Sequence, residues 1–132
     1  MIDFACKKFD IEDVVKCSLG LSKSDYALLK FLSKHSTKKF DTEELSRELS
    51  LDKSTIQRGV KKLYEKDLIG RSQMNQQVGG YLFLYSIKDK KKINELILDI
   101  VNNWVKVVKD NLGKWWLIFL RVNNLYSFIV LF

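Results

Sequence analysis

The stretch DTEELSRELSLDKSTIQRGVKKLYEKDLIGRSQMNQQVGGYLFLYSI, residues 41–87, decides the fold. Asp41 is placed to cap the free N–H groups of a helix beginning at Thr42, and Glu44 stands where its side chain can reach back to the cap residue. Leu45 and Leu49, four apart, form the buried side of this helix, leaving Glu43, Arg47 and Glu48 in water. Residues 50–54 then interrupt the pattern with short polar side chains that compete for backbone hydrogen bonds. A second helix follows, with Ile56, Val60, Leu63 and Tyr64 on its inner face. Gly59 inside it costs about 1 kcal/mol relative to alanine, and close helix crossing is the reading that explains it.

Beyond Asp67 the period changes from helical to extended. Residues 68–74 read as a short strand and residues 81–87 as a stronger, aromatic-rich one. Between them Gly79 and Gly80 end a turn that tolerates positive φ. Two helices followed by a hairpin make a winged helix-turn-helix. The expected fold class is therefore mainly α with a small β-hairpin wing.

Working outward toward the N-terminus, Tyr26 to Leu32 is an apolar run on a helix that Ser22 and Asp25 cap reciprocally. Leu28, Leu29 and Leu32 are its core candidates, with Phe31 at the edge. Before it, Phe9, Val14, Val15 and Leu19 can seat a shorter helix, capped by Asp10 and broken at Gly20. His35 lies at the end of the longer helix, where it suits the terminal carbonyls better than a metal.

Toward the C-terminus, Ile93, Ile97, Ile100, Trp104 and Val107 recur at spacings of four and three. Leu96, Val101 and Val108 thicken this heptad-like stripe. A helix from Asp89 to Leu112 spans about 36 Å, too long for a small winged domain to cover. A matching helix from a second copy solves the problem, so these five residues are the candidate dimerisation seam. The expected division is a winged helix-turn-helix over residues 1–88 and a helical dimerisation segment with a hydrophobic end over residues 89–132. That end, Trp115 to Phe132, approaches the length of a membrane span but carries Arg121, Asn123 and Asn124 near its middle. Packing along the seam is favoured over membrane contact or paired strands.

Composition narrows the function classes. The 132 residues, 46% hydrophobic, suffice for one modest core with an appendage. The lone histidine and the spacing of Cys6 and Cys17 match no zinc pattern, and the cysteines read as free thiols in a reducing cytoplasm. Neither a phosphate loop nor a nucleophile and base pair is recognisable, so no enzyme, metal or cofactor is expected. The formal charge is +7. From Arg47 to Lys92 eleven basic residues face five acidic ones, so most of the excess lies in the winged region and its exit. That location suits a polyanion.

The candidate contacts follow from exposure and reach. Gln57 and Arg58 can read base edges in a major groove, while Ser54, Thr55, Lys53, Lys61 and Lys62 suit phosphates. Arg71, Gln73, Asn75 and Gln76 lie on or beside the wing, placed for the adjacent minor groove. Other readings are a protein-interaction module presenting Tyr81, Phe83 or Tyr85, a structured-RNA binder, or a head anchored to a membrane through the last eighteen residues.

Several segments carry a family resemblance. Thr42-Glu43-Glu44-Leu45-Ser46-Arg47-Glu48-Leu49, Leu51-Asp52-Lys53-Ser54-Thr55-Ile56-Gln57-Arg58, Val60 to Ile69 and Gly79-Gly80-Tyr81-Leu82-Phe83-Leu84-Tyr85 lie within Leu19–Ile87. Together with Gly20-Leu21-Ser22, this region resembles the DNA-binding half of archaeal TrmB-like transcriptional regulators, and more distantly MarR-type winged helices. The resemblance implies a homodimer on promoter DNA. Larger TrmB-like members carry a sugar-binding effector domain for which this chain has no space.

Overall fold

The computed structural model describes residues 2–4 and 7–122, with side chains described for residues 10–120. Cys6, the Phe9 side chain and the hydrophobic stretch from residue 123 onward fall outside the described residues. The elements run β1 (Ile2–Phe4), β2 (Lys7–Phe9), α1 (Ile11–Leu19), α2 (Lys23–Lys34), α3 (Thr42–Leu49), α4 (Lys53–Glu65), β3 (Ile69–Asn75), β4 (Tyr81–Ile87) and α5 (Lys90–Val122). This is a helical fold with a hairpin wing and a long C-terminal helix. Two compact units divide it, Met1–Ile97 and Leu98–Phe132.

Local chemistry sets the boundaries. Ser22 and Asp25 form the full reciprocal cap of α2. At α3 only half of that arrangement is made: Asp41 accepts from the Glu44 N–H at 2.8 Å, and the cap is one-sided. Asp10 occupies the N-cap position of α1 without a side-chain cap bond, contrary to expectation. Gly20 ends α1 in the left-handed region at φ 63°, and the Leu21 N–H bonds back to the Lys16 carbonyl at 2.8 Å. Short antiparallel β1 and β2, paired Ile2 to Phe9, were not anticipated from the polar start.

The core of the first unit is built from Leu28, Leu29 and Leu32 of α2, Leu45 of α3, and Ile56, Val60 and Leu63 of α4, closed by Leu68 and Ile69. Each such side chain contributes about 1.5–3 kcal/mol by leaving water. Gly59 marks the α2–α4 crossing: a Cβ there would meet Leu28 Cδ2 at 3.0 Å and Asp25 Oδ1 at 3.4 Å. Tyr64 departs from its expected inward place. It is 41% exposed, because the position four residues past Val60 turns toward Arg71 of the wing, while Leu63 takes the buried place.

Antiparallel β3 and β4 pair in register from Ile69 with Ile87 to Asn75 with Tyr81. Phe40 adds one bridge to Tyr85, exchanging backbone bonds of 2.9 and 2.8 Å, and so fastens the hairpin to the segment ahead of α3. Gly79 and Gly80 turn the tip with φ of 95° and 81°. His35 caps the C-terminus of α2, its ring 4.5 Å from that of Phe31.

Helix α5 contains 33 residues, about 50 Å at 1.5 Å per residue. It thus runs ten residues past the expected end at Leu112 and ends at Val122. Among the described residues no helix is long and apolar enough to cross a membrane.

Candidate nucleic-acid interface

Helix α4 presents one continuous outer face. Ser54, Gln57, Arg58, Lys61, Tyr64 and Glu65 are exposed along it, at the three- and four-residue spacing that the inner Ile56, Val60 and Leu63 require of the opposite side. Gln57, Arg58 and Lys61 are the members of this face with free reach. The Arg58 guanidinium donates to the Thr55 hydroxyl at 3.4 Å. A groove of about 410 Å³ runs between this face and the wing, lined by Gln57, Lys61, Tyr64, Arg71 and Phe83 among others.

Other residues expected on this surface are engaged within the protein. Asp52 is the N-cap of α4 and accepts from the Thr55 backbone N–H at 3.2 Å and the Thr55 hydroxyl at 2.6 Å, with the Ser54 hydroxyl also donating to it. These bonds, from Ser54 first and then Thr55, hold the Asp52 carboxyl well below the ordinary carboxylate range. Both hydroxyls assigned to phosphate thus point at an anion of their own chain. Lys53 bonds Glu43 at 2.6 Å, an exposed α3–α4 pair. An exposed bridge contributes at most about 1 kcal/mol, so Lys53 exchanges this partner at little cost.

Lys62 is placed differently. Its ammonium turns toward α2, bonding Asp25 Oδ2 at 2.8 Å and approaching the Gly20 carbonyl at 3.4 Å. Asp25 is 7% exposed. Burial pushes its carboxyl up, but the hydrogen bonds from Lys62 and Ser22 outweigh that and leave it below its usual value. No local pattern signals this pair, whose members stand 37 residues apart. The Asp52 cap is local by contrast, an aspartate directly ahead of a helix.

On the wing, Gln73, Asn75 and Gln76 are exposed toward the tip. Arg71 sits at the base, its guanidinium 4.5 Å from the Tyr64 ring centre and 4.3 Å from that of Phe83. At the wing's exit, Lys88 bonds Asp67, which occupies the left-handed region at φ 64°. The expected seam on α5 is half-buried at Ile93, Ile97 and Ile100, while Trp104 and Val107 are 59% and 55% exposed. No metal-binding group of three or more His, Cys, Asp or Glu side chains occurs among the described residues.

Helices α2, α3 and α4 with the bridged hairpin make a winged-helix fold. Residues 9–108 match the DnaD N-terminal domain family, and the chain belongs to it. The resemblance to TrmB-like regulators therefore holds at the level of the winged helix, and the family itself is the DnaD N-terminal domain.

Three relatives fill out the picture. A possible transcriptional regulator from Methanosarcina mazei Go1 is 45% identical, superposes with a TM-score of 0.83, and is matched over 87% of this chain and 96% of its own. An uncharacterized protein of Methanocaldococcus jannaschii is 26% identical over 118 residues, 89% of this chain and 92% of the relative. S. aureus MepR in a complex with DNA shares the fold at 17% identity and a TM-score of 0.51, over 79% of this chain and 85% of that one.

Proposed function

We infer that the protein is a sequence-specific double-stranded DNA-binding transcriptional regulator that acts as a homodimer at promoter DNA. The observation that carries this reading is the outer face of α4, where Gln57, Arg58 and Lys61 stand exposed beside the wing, with no carboxylate bonded to Arg58 or Lys61 among the described residues. An amide and an arginine at that spacing suit adenine and guanine edges, and a lysine one turn on suits the phosphates. The shared fold of a protein solved with DNA, MepR, supports the same docking of the recognition helix. TrmB-like affinity in the narrower sense rests on the sequence segments of α3, α4 and the wing.

The homodimer rests on α5. Trp104 and Val107 continue the stripe of Ile93, Ile97 and Ile100 at heptad spacing and stand more than half exposed in the single chain. A second copy covers that seam and places two recognition helices about 34 Å apart, one turn of the duplex. The domain roles follow: residues 1–88 bind DNA and residues 89–132 join the copies. Light scattering across a micromolar concentration series, alongside anisotropy with a duplex at two salt concentrations, tests both halves. A mass of two chains and salt-sensitive binding are expected; a single-chain mass throughout removes the dimer, and salt-independent binding removes the phosphate contacts.

A further inference from the structure

We propose that Arg71 is a positioning residue that fastens the wing to the recognition helix, leaving the wing to read DNA without a charge of its own. Its guanidinium lies between two rings from different elements, Tyr64 of α4 and Phe83 of β4. In the hairpin register Arg71 stands opposite Tyr85, at the base, whereas Asn75 stands opposite Tyr81 at the tip. Four residues of strand separate Arg71 from Asn75, about 13 Å, so the arginine cannot serve the tip while stacked. Arginine suits this place because its planar, weakly hydrated cation packs face-on against aromatic rings, which an ammonium does less well.

The rest of the wing is consistent with that division. Between Arg71 and Lys88 the sequence has no lysine or arginine, and Gln73, Asn75, Gln76 and Gln77 supply amides instead. Amides donate to the adenine and thymine acceptors of a minor groove but release no counterions. The hairpin is held at its base, where Ile69 and Tyr85 are buried and Phe40 bridges one edge, and a Cβ on either glycine of its tip would meet nothing within 4 Å. The Tyr64–Arg71–Phe83 stack fixes its angle at that base, so a hairpin cut loose from α4 keeps its amides but loses their aim.

This inference rests on the duplex-binding reading for its functional half and on the free protein for its structural half. The test uses Arg71→Ala, Tyr64→Leu and the double variant in the full chain. In denaturant titration of the free protein, the two single variants and the double are expected to lower the unfolding midpoint by the same amount, because each breaks the same stack. Additive shifts overturn the clamp. On an enriched duplex, Arg71→Ala and Tyr64→Leu are each expected to weaken binding about fivefold and to relax discrimination at the flanks, with the salt slope unchanged. A salt slope reduced by about 0.9 in Arg71→Ala, with Tyr64→Leu silent, makes Arg71 a phosphate contact and overturns the proposal. If the wild-type protein retains no duplex, the duplex-binding reading fails while the unfolding comparison still decides the clamp.

Discussion

Lys62 donates to Asp25 across the α2–α4 crossing at 2.8 Å, and the two ends of this bond differ in exposure. The lysine side chain is 42% exposed and the aspartate side chain 9%. Removing the aspartate lets the ammonium return to water, whereas removing the lysine strands a carboxylate. Lys62→Met is therefore expected to lower stability by about 1–3 kcal/mol and Asp25→Asn by less, since asparagine still accepts from the Ser22 N–H. Urea unfolding of the two variants checks the order, and a larger loss in Asp25→Asn contradicts it.

The same pair sets an acid limb. The Asp25 carboxyl lies below its ordinary value in the folded protein, because the bonds from Lys62 and Ser22 outweigh the burial that pushes it up. A depressed carboxylate contributes stability above its unfolded value of about 3.9 and loses it as pH falls through the lower folded value. Wild-type stability should thus fall more steeply than that of Asp25→Asn below about pH 4. Parallel curves in that window count against the linkage.

Gly59→Ala sets helix propensity against packing. Alanine gains about 1 kcal/mol in a helix interior, but its Cβ meets the buried Leu28 Cδ2 at 3.0 Å. Overpacking of this kind costs about 1–3 kcal/mol, so the net change is a loss of about 1 kcal/mol. A thermal melt showing stabilisation means that α2 and α4 separate freely.

These three positions show where the sequence is legible and where it is not. Gly59, the Ser22 cap, the Gly20 stop and the two wing strands follow from local spacing, and the structure has them there, the first strand shifted by one residue. What spacing cannot show is which side chains meet across the fold. Lys62 falls on the polar side of a helical wheel and yet serves α2, because its long stem reaches over the crossing that Gly59 opens. Tyr64 falls on the apolar side and yet faces the wing, because Arg71 and Phe83 offer its ring a partner there. The engagement of Ser54 and Thr55 with Asp52 is local, and was hidden only because the same hydroxyls suit phosphate equally well.

Within the proposed interface the roles separate by charge. Lys61→Ala should weaken every duplex and reduce the salt slope by about 0.9, while Gln57→Ala should leave the slope and relax discrimination by about 1–3 kcal/mol at one base position. Asp52→Asn keeps the cap, since asparagine caps as well as aspartate, and removes a negative charge from the phosphate-facing end of α4. Its affinity should rise a few-fold, as read by anisotropy; unchanged affinity places Asp52 away from the DNA.

The seam on α5 predicts a change of mass. Trp104→Lys puts a charge at a position that is 59% exposed in the single chain and that the proposed dimer would cover. Multi-angle light scattering should show a single-chain mass for this variant at concentrations where the wild type has the mass of two, with the wing and core unaffected by circular dichroism. Wild-type mass in the variant moves the dimer contact off Trp104.

The most direct measurement is capture of a genomic duplex pool by the full-length protein, with sequencing of the retained DNA and a salt titration on the enriched site. A two-fold-symmetric motif, half-sites about one helical turn apart, bound with an affinity that falls steeply with salt, is the predicted result. A folded protein that retains no duplex, or retains all duplexes alike, contradicts sequence-specific regulation through the α4 face.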